Sequence, residues 1–415
     1  MRVINFVIAF FAIGSIFGCS SSADKELKSG TWRATLSRDN QELPLLLEIS
    51  QNPDKKSYTV FSVNGEERLQ LDSAYFENDS LHIPMQLFDS EIVAALKNDK
   101  LSGSYNRLQE GSVIASLPFQ AVFGENYRFF KEGVAKGDKN VNGKWLTVFL
   151  NPATGDSTVS VGNFIQKGNQ VQGSFLTPTG DYRFLNGNIN GDSLFLSTFD
   201  GSNAMLFKAV IQPDGTLKGE QWSGVKGYKT WTAKLNPDAK LPDATKLTFL
   251  KPGFDKVNLS FPDSDGKTVS LSDPQYKDKV VIIQILGSWC PNCMDETNFL
   301  APWYDKNKDR GVEIIGLAFE RSDKPEVSNP KIKKMINRFG MNYPVLLAGT
   351  NSDEATAKAL PMLNKVMSYP TTIFIDKKGK VREIHTGFSG PGTGEYYDQF
   401  VEEFNGLVSK MIAEK

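Results

Sequence analysis

The run Val280-Val281-Ile282-Ile283-Gln284-Ile285-Leu286 limits what this chain can fold into more than any other stretch. It is apolar except for one amide and rich in β-branched residues, so it suits a strand and leaves no face for water. A strand apolar on both faces must lie inside a sheet covered above and below, as the central strands of α/β domains do. Val312 to Ala318 reads as a second such strand and Tyr343 to Leu347 as a third. Lys267 to Leu271 reads as a short alternating strand, and Thr371 to Asp376 with Val381 to Ile384 as a hairpin across Lys378-Gly379. Helices are expected from near Cys290 through the Leu300 region, and from Lys331 to Phe339 with Ile332, Met335, Ile336 and Phe339 on one face. Two more are expected from Asp353 to Asn364, behind a cap at Ser352 or Asp353, and from Gly394 to Ala413. Residues 250–415 therefore read as an α/β domain with a mixed sheet.

Upstream the pattern changes. From Gly30 to Leu235 short β runs such as Leu45–Ile49, Tyr58–Phe61 and Thr158–Val161 are cut by Gly, Asn, Asp and Pro, which favours sandwiches or barrels. The stretch also echoes itself. Gly30-Thr31-Trp32 matches Gly143-Lys144-Trp145, and Asp79-Ser80-Leu81 matches Asp192-Ser193-Leu194 at the same offset of 113 residues. Phe88-Asp89 and Phe199-Asp200, Leu101-Ser102-Gly103 and Leu217-Lys218-Gly219, then Ala121 and Ala233 follow in order. These matches define two related all-β, barrel- or sandwich-like units, at 30–125 and 140–236, followed by a polar, proline-bearing linker at 237–249. No catalytic constellation stands out in them. Asp156, Asp181, Asp192, Asp200 and Asp214 sit in turn-like contexts, where aspartate bonds its own backbone. Trp32, Phe61, Tyr75, Phe88, Trp145, Phe164, Phe175 and Phe184 read as core.

Residues 1–18 read as an export signal: Arg2 precedes an apolar stretch to Phe17 that is too short to span about 30 Å of hydrocarbon. Ile16-Phe17-Gly18-Cys19, followed by three serines, resembles a bacterial lipobox. That resemblance implies cleavage before Cys19, acylation of Cys19, and a lipidated tether over 19–29. The body of the protein is then expected in the periplasm or cell envelope, lipid-anchored to an inner or outer membrane, each buried methylene contributing about 0.8 kcal/mol.

Composition removes several functions. A net charge of −1 offers no basic excess for nucleic acid. Beyond Cys19, the cysteines and histidines are Cys290, Cys293, His82 and His385, too scattered for the usual closed zinc spacings. Cys290-Pro291-Asn292-Cys293, by contrast, falls where the buried strand hands over to a helix. Unpaired N–H groups and the positive dipole end stabilise a thiolate there, below the free cysteine value of about 8.5. Cys290 is expected to be the exposed attacking sulfur, and Cys293, three residues on, the resolving one. Pro291 is tolerated because first-turn N–H groups need no helical partner. A purely structural disulfide closing so short a loop would remove little chain entropy.

With Gly266-Lys267-Thr268-Val269-Ser270-Leu271-Ser272, Gly287-Ser288-Trp289-Cys290-Pro291-Asn292-Cys293, Ser368-Tyr369-Pro370-Thr371-Thr372-Ile373-Phe374-Ile375-Asp376 and Gly379-Lys380-Val381, residues 250–415 resemble the TlpA/ResA group of thioredoxin-like, membrane-tethered thiol–disulfide oxidoreductases. The resemblance implies a cis peptide before Pro370, a Tyr369 backbone that pairs with substrate peptide, and a substrate surface of Trp289, Tyr369 and Pro370. It implies protein disulfide substrates, a membrane electron donor of the DsbD/CcdA type, and no cofactor. Thioredoxin itself has a buried aspartate six residues before its first cysteine; Gln284 stands there, a supporting amide that cannot accept the Cys293 proton. The group's active-site glutamate is matched by Glu296, either a general base for Cys293 or a solvated helix-face carboxylate. Two other functions compete. A thiol peroxidase of the peroxiredoxin class would share the fold and the leading strand, but that class has threonine where Gly287 stands. A partner- or ligand-binding lipoprotein would carry the redox domain as an accessory.

Overall fold

The computed structural model describes residues 27–133 and 139–414; the expected signal segment and Cys19 lie outside them. Strands Gly30–Arg38, Gln41–Gln51, Ser57–Asn64, Ala74–Glu77, Ser80–Met85, Ser90–Lys97, Lys100–Gln109 and Ser112–Phe123 pair antiparallel with their neighbours in turn, and the last returns to the first. The result is a closed eight-stranded meander, with Glu67–Gln70 as an extra flap on the third strand. Gly143–Leu150, Ser157–Lys167, Gln170–Thr177, Leu185–Asn190, Ser193–Phe199, Ala204–Ile211, Leu217–Ser223 and Gly227–Leu235 repeat the ring, with Gly180–Asp181 as the flap. Closure removes the unpaired edges that open sheets leave. Eight strands enclose an interior that side chains can fill; in the second barrel Trp145, Phe149, Phe175, Phe207 and Trp231 fill it.

The duplication is visible atom by atom. Trp32 Nε1 donates to Lys28 O at 3.0 Å, and Trp145 Nε1 to Val141 O at 2.8 Å. Gly103 and Gly219 lie where a Cβ would strike the neighbouring strand's carbonyl, Val93 O or Lys208 O. Leu101 pairs with Ala121 as Leu217 pairs with Ala233.

Two sequence expectations in this region need correction. Tyr75 is exposed and stacks on His82, because Ala74 takes the inward position and side chains alternate along a strand. Phe61 and Phe184 are only half-buried. Asp181 and Asp200 bond turn backbone as expected, at Arg183 N and at Ser202 and Asn203 N, and both are also buried around a charged partner described below.

Residues 280–386 form a five-stranded mixed sheet in the order Val345–Thr350, Val312–Glu320, Val280–Leu286, Thr371–Ile375, Val381–Thr386; the first three run parallel and the last two antiparallel. The central strand is buried at all seven positions. Ile282 and Leu286 pack with helices α1 (Pro291–Asn307), α2 (Pro325–Phe339) and α4 (Glu395–Ala413), while Ile283 and Ile285 face Val257, Leu259, Leu360 and Met362. Helix α2 starts six residues before the expected Lys331. Pro325, fixed in a helical φ at the first position, opens it, and Pro330 is carried inside rather than marking its start. Helix α3 (Asp353–Ala359) begins at the Ser352 cap but stops five residues short of Asn364.

The barrels are seated on this domain. Lys334 pairs with Asp72 at 2.8 Å, Arg321 with Asp89 at 2.8 Å, and Lys331 with Asp89. The Phe199–Asn203 turn of the second barrel abuts the first: Ser62 Oγ donates to Phe199 O at 2.7 Å, Tyr105 Oη to Gly201 O at 3.1 Å, and the Phe199 ring meets Tyr105 edge-on.

Gly219→Ala would put a methyl 2.3 Å from Lys208 O and 2.6 Å from Trp231. It is expected to lower stability in urea by about 1–3 kcal/mol through overpacking. Gly406→Ala, on the exposed side of α4 with nothing within 4 Å, should instead raise it by about 0.5–1 kcal/mol. Equal effects in urea titrations would contradict this packing.

Candidate functional site

Cys290 is the N-cap of α1, in extended conformation, and its Sγ accepts the Cys293 N–H at 3.1 Å. Pro291 occupies the first helical turn, where it costs no hydrogen bond. The two sulfurs are joined as a disulfide. Across from them the Tyr369–Pro370 peptide is cis, as the resemblance implies, and Cys290 Sγ lies 3.5 Å from Tyr369 O. Trp289 donates Nε1 to Phe319 O at 3.0 Å and packs edge-on against the Tyr369 ring. That indole occupies the space beside Gly287: a Cβ there would lie 2.4 Å from Trp289 Nε1. The threonine of the peroxidase alternative has no room at this position.

Beneath the disulfide is a buried polar network. Glu296 is fully buried rather than solvated. Its carboxylate accepts from Gln284 Nε2 at 2.8 Å and Thr372 Oγ1 at 2.6 Å. Thr297 Oγ1 donates to Cys293 O at 2.7 Å and is itself bonded by Gln284. Gln284, the lone amide in the central strand, thus joins the carboxylate to the turn of α1 that carries Cys293. Burial pushes the Glu296 pKa up to about 7, against the hydrogen bonds from Thr372 and Gln284. A carboxyl poised there can exchange a proton near neutral pH. A second buried carboxylate, Glu320, takes Ser288 N at 2.8 Å and Ser288 Oγ at 2.7 Å, pinning the turn that leads into Trp289 and Cys290. Glu320 ends a strand with no motif around it, and only strand pairing brings it to Ser288.

Two features of the site lie outside anything the sequence suggested. Cys290 was expected to be exposed, but only 4% of it is. Beside it, segment 177–183 of the second barrel lies against the cysteine loop: Asn292 Nδ2 donates to Asp181 O at 3.2 Å, and Gly390 N to Asp181 Oδ2 at 2.7 Å. The other feature is Arg183. Its guanidinium donates to Pro291 O at 2.8 Å, pairs with Asp295 at 3.1 Å and with Glu67 of the first barrel, and lies 3.9 Å from Asp200. Burial alone would lower the Arg183 pKa, but the charges of Asp295, Glu67 and Asp200 outweigh it and raise it. Burial lifts Asp295 to about 8 despite Arg183, with Glu67, Asp181 and Asp200 adding to the rise. No local motif marks Arg183; its one legible sign is a cation beside an Asp in the second unit's flap.

A family model described as Redoxin matches residues 236–399. Thiol-disulfide oxidoreductase ResA of Bacillus thuringiensis is 31% identical over 159 residues, which are 38% of this chain and 78% of that protein. ResA of Bacillus subtilis is 33% identical over 135 residues, 32% of this chain and 67% of that protein. A thioredoxin-family thiol:disulfide interchange protein from Chlorobium tepidum, known from its crystal structure, aligns with 38% of this chain and 96% of its own at 21% identity, with a TM-score of 0.29.

The raised pKa of Glu296 has a signed consequence. Between its ordinary value of 4.5 and about 7 the folded protein holds a proton that the unfolded chain has released, so stability falls as pH rises through that window. The contribution is full below about pH 4.5, and roughly 3 kcal/mol of it is gone once pH has passed 7. Urea unfolding of the oxidised protein at pH 4.5, 6 and 7.5 should show this slope, reduced by that amount in Glu296→Gln. Parallel slopes in the two proteins would mean that Glu296 ionises normally.

Proposed function

The chain belongs to the ResA family of thiol–disulfide oxidoreductases, and on that premise we propose that it reduces disulfides of envelope proteins through Cys290 and Cys293. The observation that carries this is the Cys290 sulfur at the N-cap of α1, where the Cys293 amide and the helix dipole favour negative charge. The Cys290 thiolate attacks one sulfur of the substrate disulfide. A mixed disulfide forms, and the second substrate sulfur leaves as a thiolate and takes a proton from solvent. Cys293 then gives its proton to the Glu296 carboxylate and attacks the Cys290 sulfur, and the remaining substrate thiolate departs and is protonated. The substrate gains two electrons and two protons; the cysteine pair ends as the disulfide. Gln284 and Thr372 hold Glu296 for this transfer.

Trp289, Tyr369 and Pro370 form the wall that substrate meets. A membrane electron donor of the DsbD/CcdA type would return the pair to the dithiol. Acylation at Cys19 would hold the protein on a membrane facing the envelope; among the described residues no helix is long and apolar enough to cross one. The peroxidase alternative is disfavoured by the crowding at Gly287, and the ligand-binding alternative by the aromatic filling of the second barrel.

Insulin reduction should vanish in Cys290→Ser, and Cys293→Ser should accumulate a mixed disulfide with its substrate. Alkylation of reduced protein across pH should place Cys290 below the free thiol value of about 8.5. Glu296→Gln should slow turnover about 100-fold and remove an ionisation near pH 7 from its pH profile. Turnover that survives in Cys290→Ser, or a Cys290 that ionises like a free thiol, would overturn the assignment.

A further inference from the structure

Three pieces of the α/β domain adjoin the cysteine pair and the cis proline: Asn292 between the cysteines, Ser368 two residues before Pro370, and Gly387, whose N–H donates to Pro370 O at 2.9 Å. The tip of the second barrel's flap, Pro178-Thr179-Gly180, touches all three. Ser368 Oγ donates to Thr179 O. A Cβ on Gly180 would lie 2.7 Å from Asn292 Nδ2, and one on Gly387 would lie 2.7 Å from Thr179 C and 2.9 Å from Gly180 N. Just beyond, a Cβ on Gly392 would lie 2.9 Å from the Arg183 carbonyl. Glycines thus let two backbones meet directly along this seam. Cys290, two residues before Asn292, retains 4% exposure.

An extended protein segment cannot lie against Asn292 and Ser368 while the tip stays in place. We propose that segment 177–183 is a substrate gate that determines which disulfides Cys290 can attack. This rests on the redox reading above and deepens it. The occupant that displaces the tip is an extended segment of a protein disulfide substrate, which takes the strip beside Asn292 and Gly387 that Thr179 and Gly180 vacate. A small disulfide needs a narrower opening than an extended chain does. A crevice of about 560 Å3, lined in part by Thr177, Pro178, Gly180, His385, Phe388 and Tyr396, adjoins the tip and gives it room to move. The base of the segment stays anchored by Arg183 and Asp181, so the movement is confined to the tip.

The test uses the full chain and compares two substrates, insulin and hydroxyethyl disulfide. Gly180→Val wedges the tip away from Asn292, and Ser368→Ala removes the bond to Thr179. A gate that is mostly closed lowers the apparent affinity for a bulky substrate by its open fraction. Gly180→Val should therefore raise kcat/KM for insulin about fivefold, and Ser368→Ala about twofold, with hydroxyethyl disulfide changed less than the protein substrate in each. If Gly180→Val does not fold, Ser368→Ala decides alone. An unchanged ratio of the two rates, with activity that vanishes in Cys290→Ser, overturns the gate and leaves the redox reading intact. Activity that persists in Cys290→Ser overturns the redox reading beneath it.

Discussion

The arrangement of the whole molecule turns on one buried guanidinium. Arg183, 4% exposed, comes from the second barrel, holds Glu67 of the first, and reaches Asp295 and the Pro291 carbonyl of the α/β domain. Removing one partner from such a buried set typically costs about 3–5 kcal/mol, because the remaining charges stay in low dielectric without compensation. Each barrel is therefore tied to the start of α1, the same turn that carries Cys290 and Cys293. The excess of carboxylates has a counterpart in their raised pKa values: burial moves Asp181, Asp200 and Asp295 toward the protonated form, which limits the repulsion among them.

The redox centre follows from two simpler rules. Chain geometry at a helix start supplies N–H groups to one sulfur, and a strand buried on both faces supplies a dry floor under the other. In that floor a single amide, Gln284, orients the Glu296 carboxylate, and burial raises its pKa toward neutrality. Where thioredoxin keeps its acid on the strand, this chain moves it to the helix.

Much of this was legible beforehand, for local reasons. The central strand is Val280–Leu286, as its composition requires, and Cys290 caps the helix that Pro291 opens. The barrel repeat was readable because each copy keeps its tryptophan, its paired Leu and Ala, and its crowded glycine. Misreadings came where a local signal had two meanings. Tyr75 reads as core but faces water, because Ala74 takes the inward position on the same strand, and Cys290 reads as exposed but is buried in the fold.

Period, β-branching and a helix-start cysteine pair act over a few residues, so the sequence by itself determined the sheet, the repeated barrels and the cysteine pair that forms the disulfide. Burial and long-range charge pairing were set only by tertiary structure, because they depend on what a side chain meets 100 or more residues away, as Arg183 meets Pro291 and Glu67. Folding therefore decided that Glu296 is enclosed, that Glu320 holds Ser288, and that a barrel flap rests on Asn292 between the cysteines.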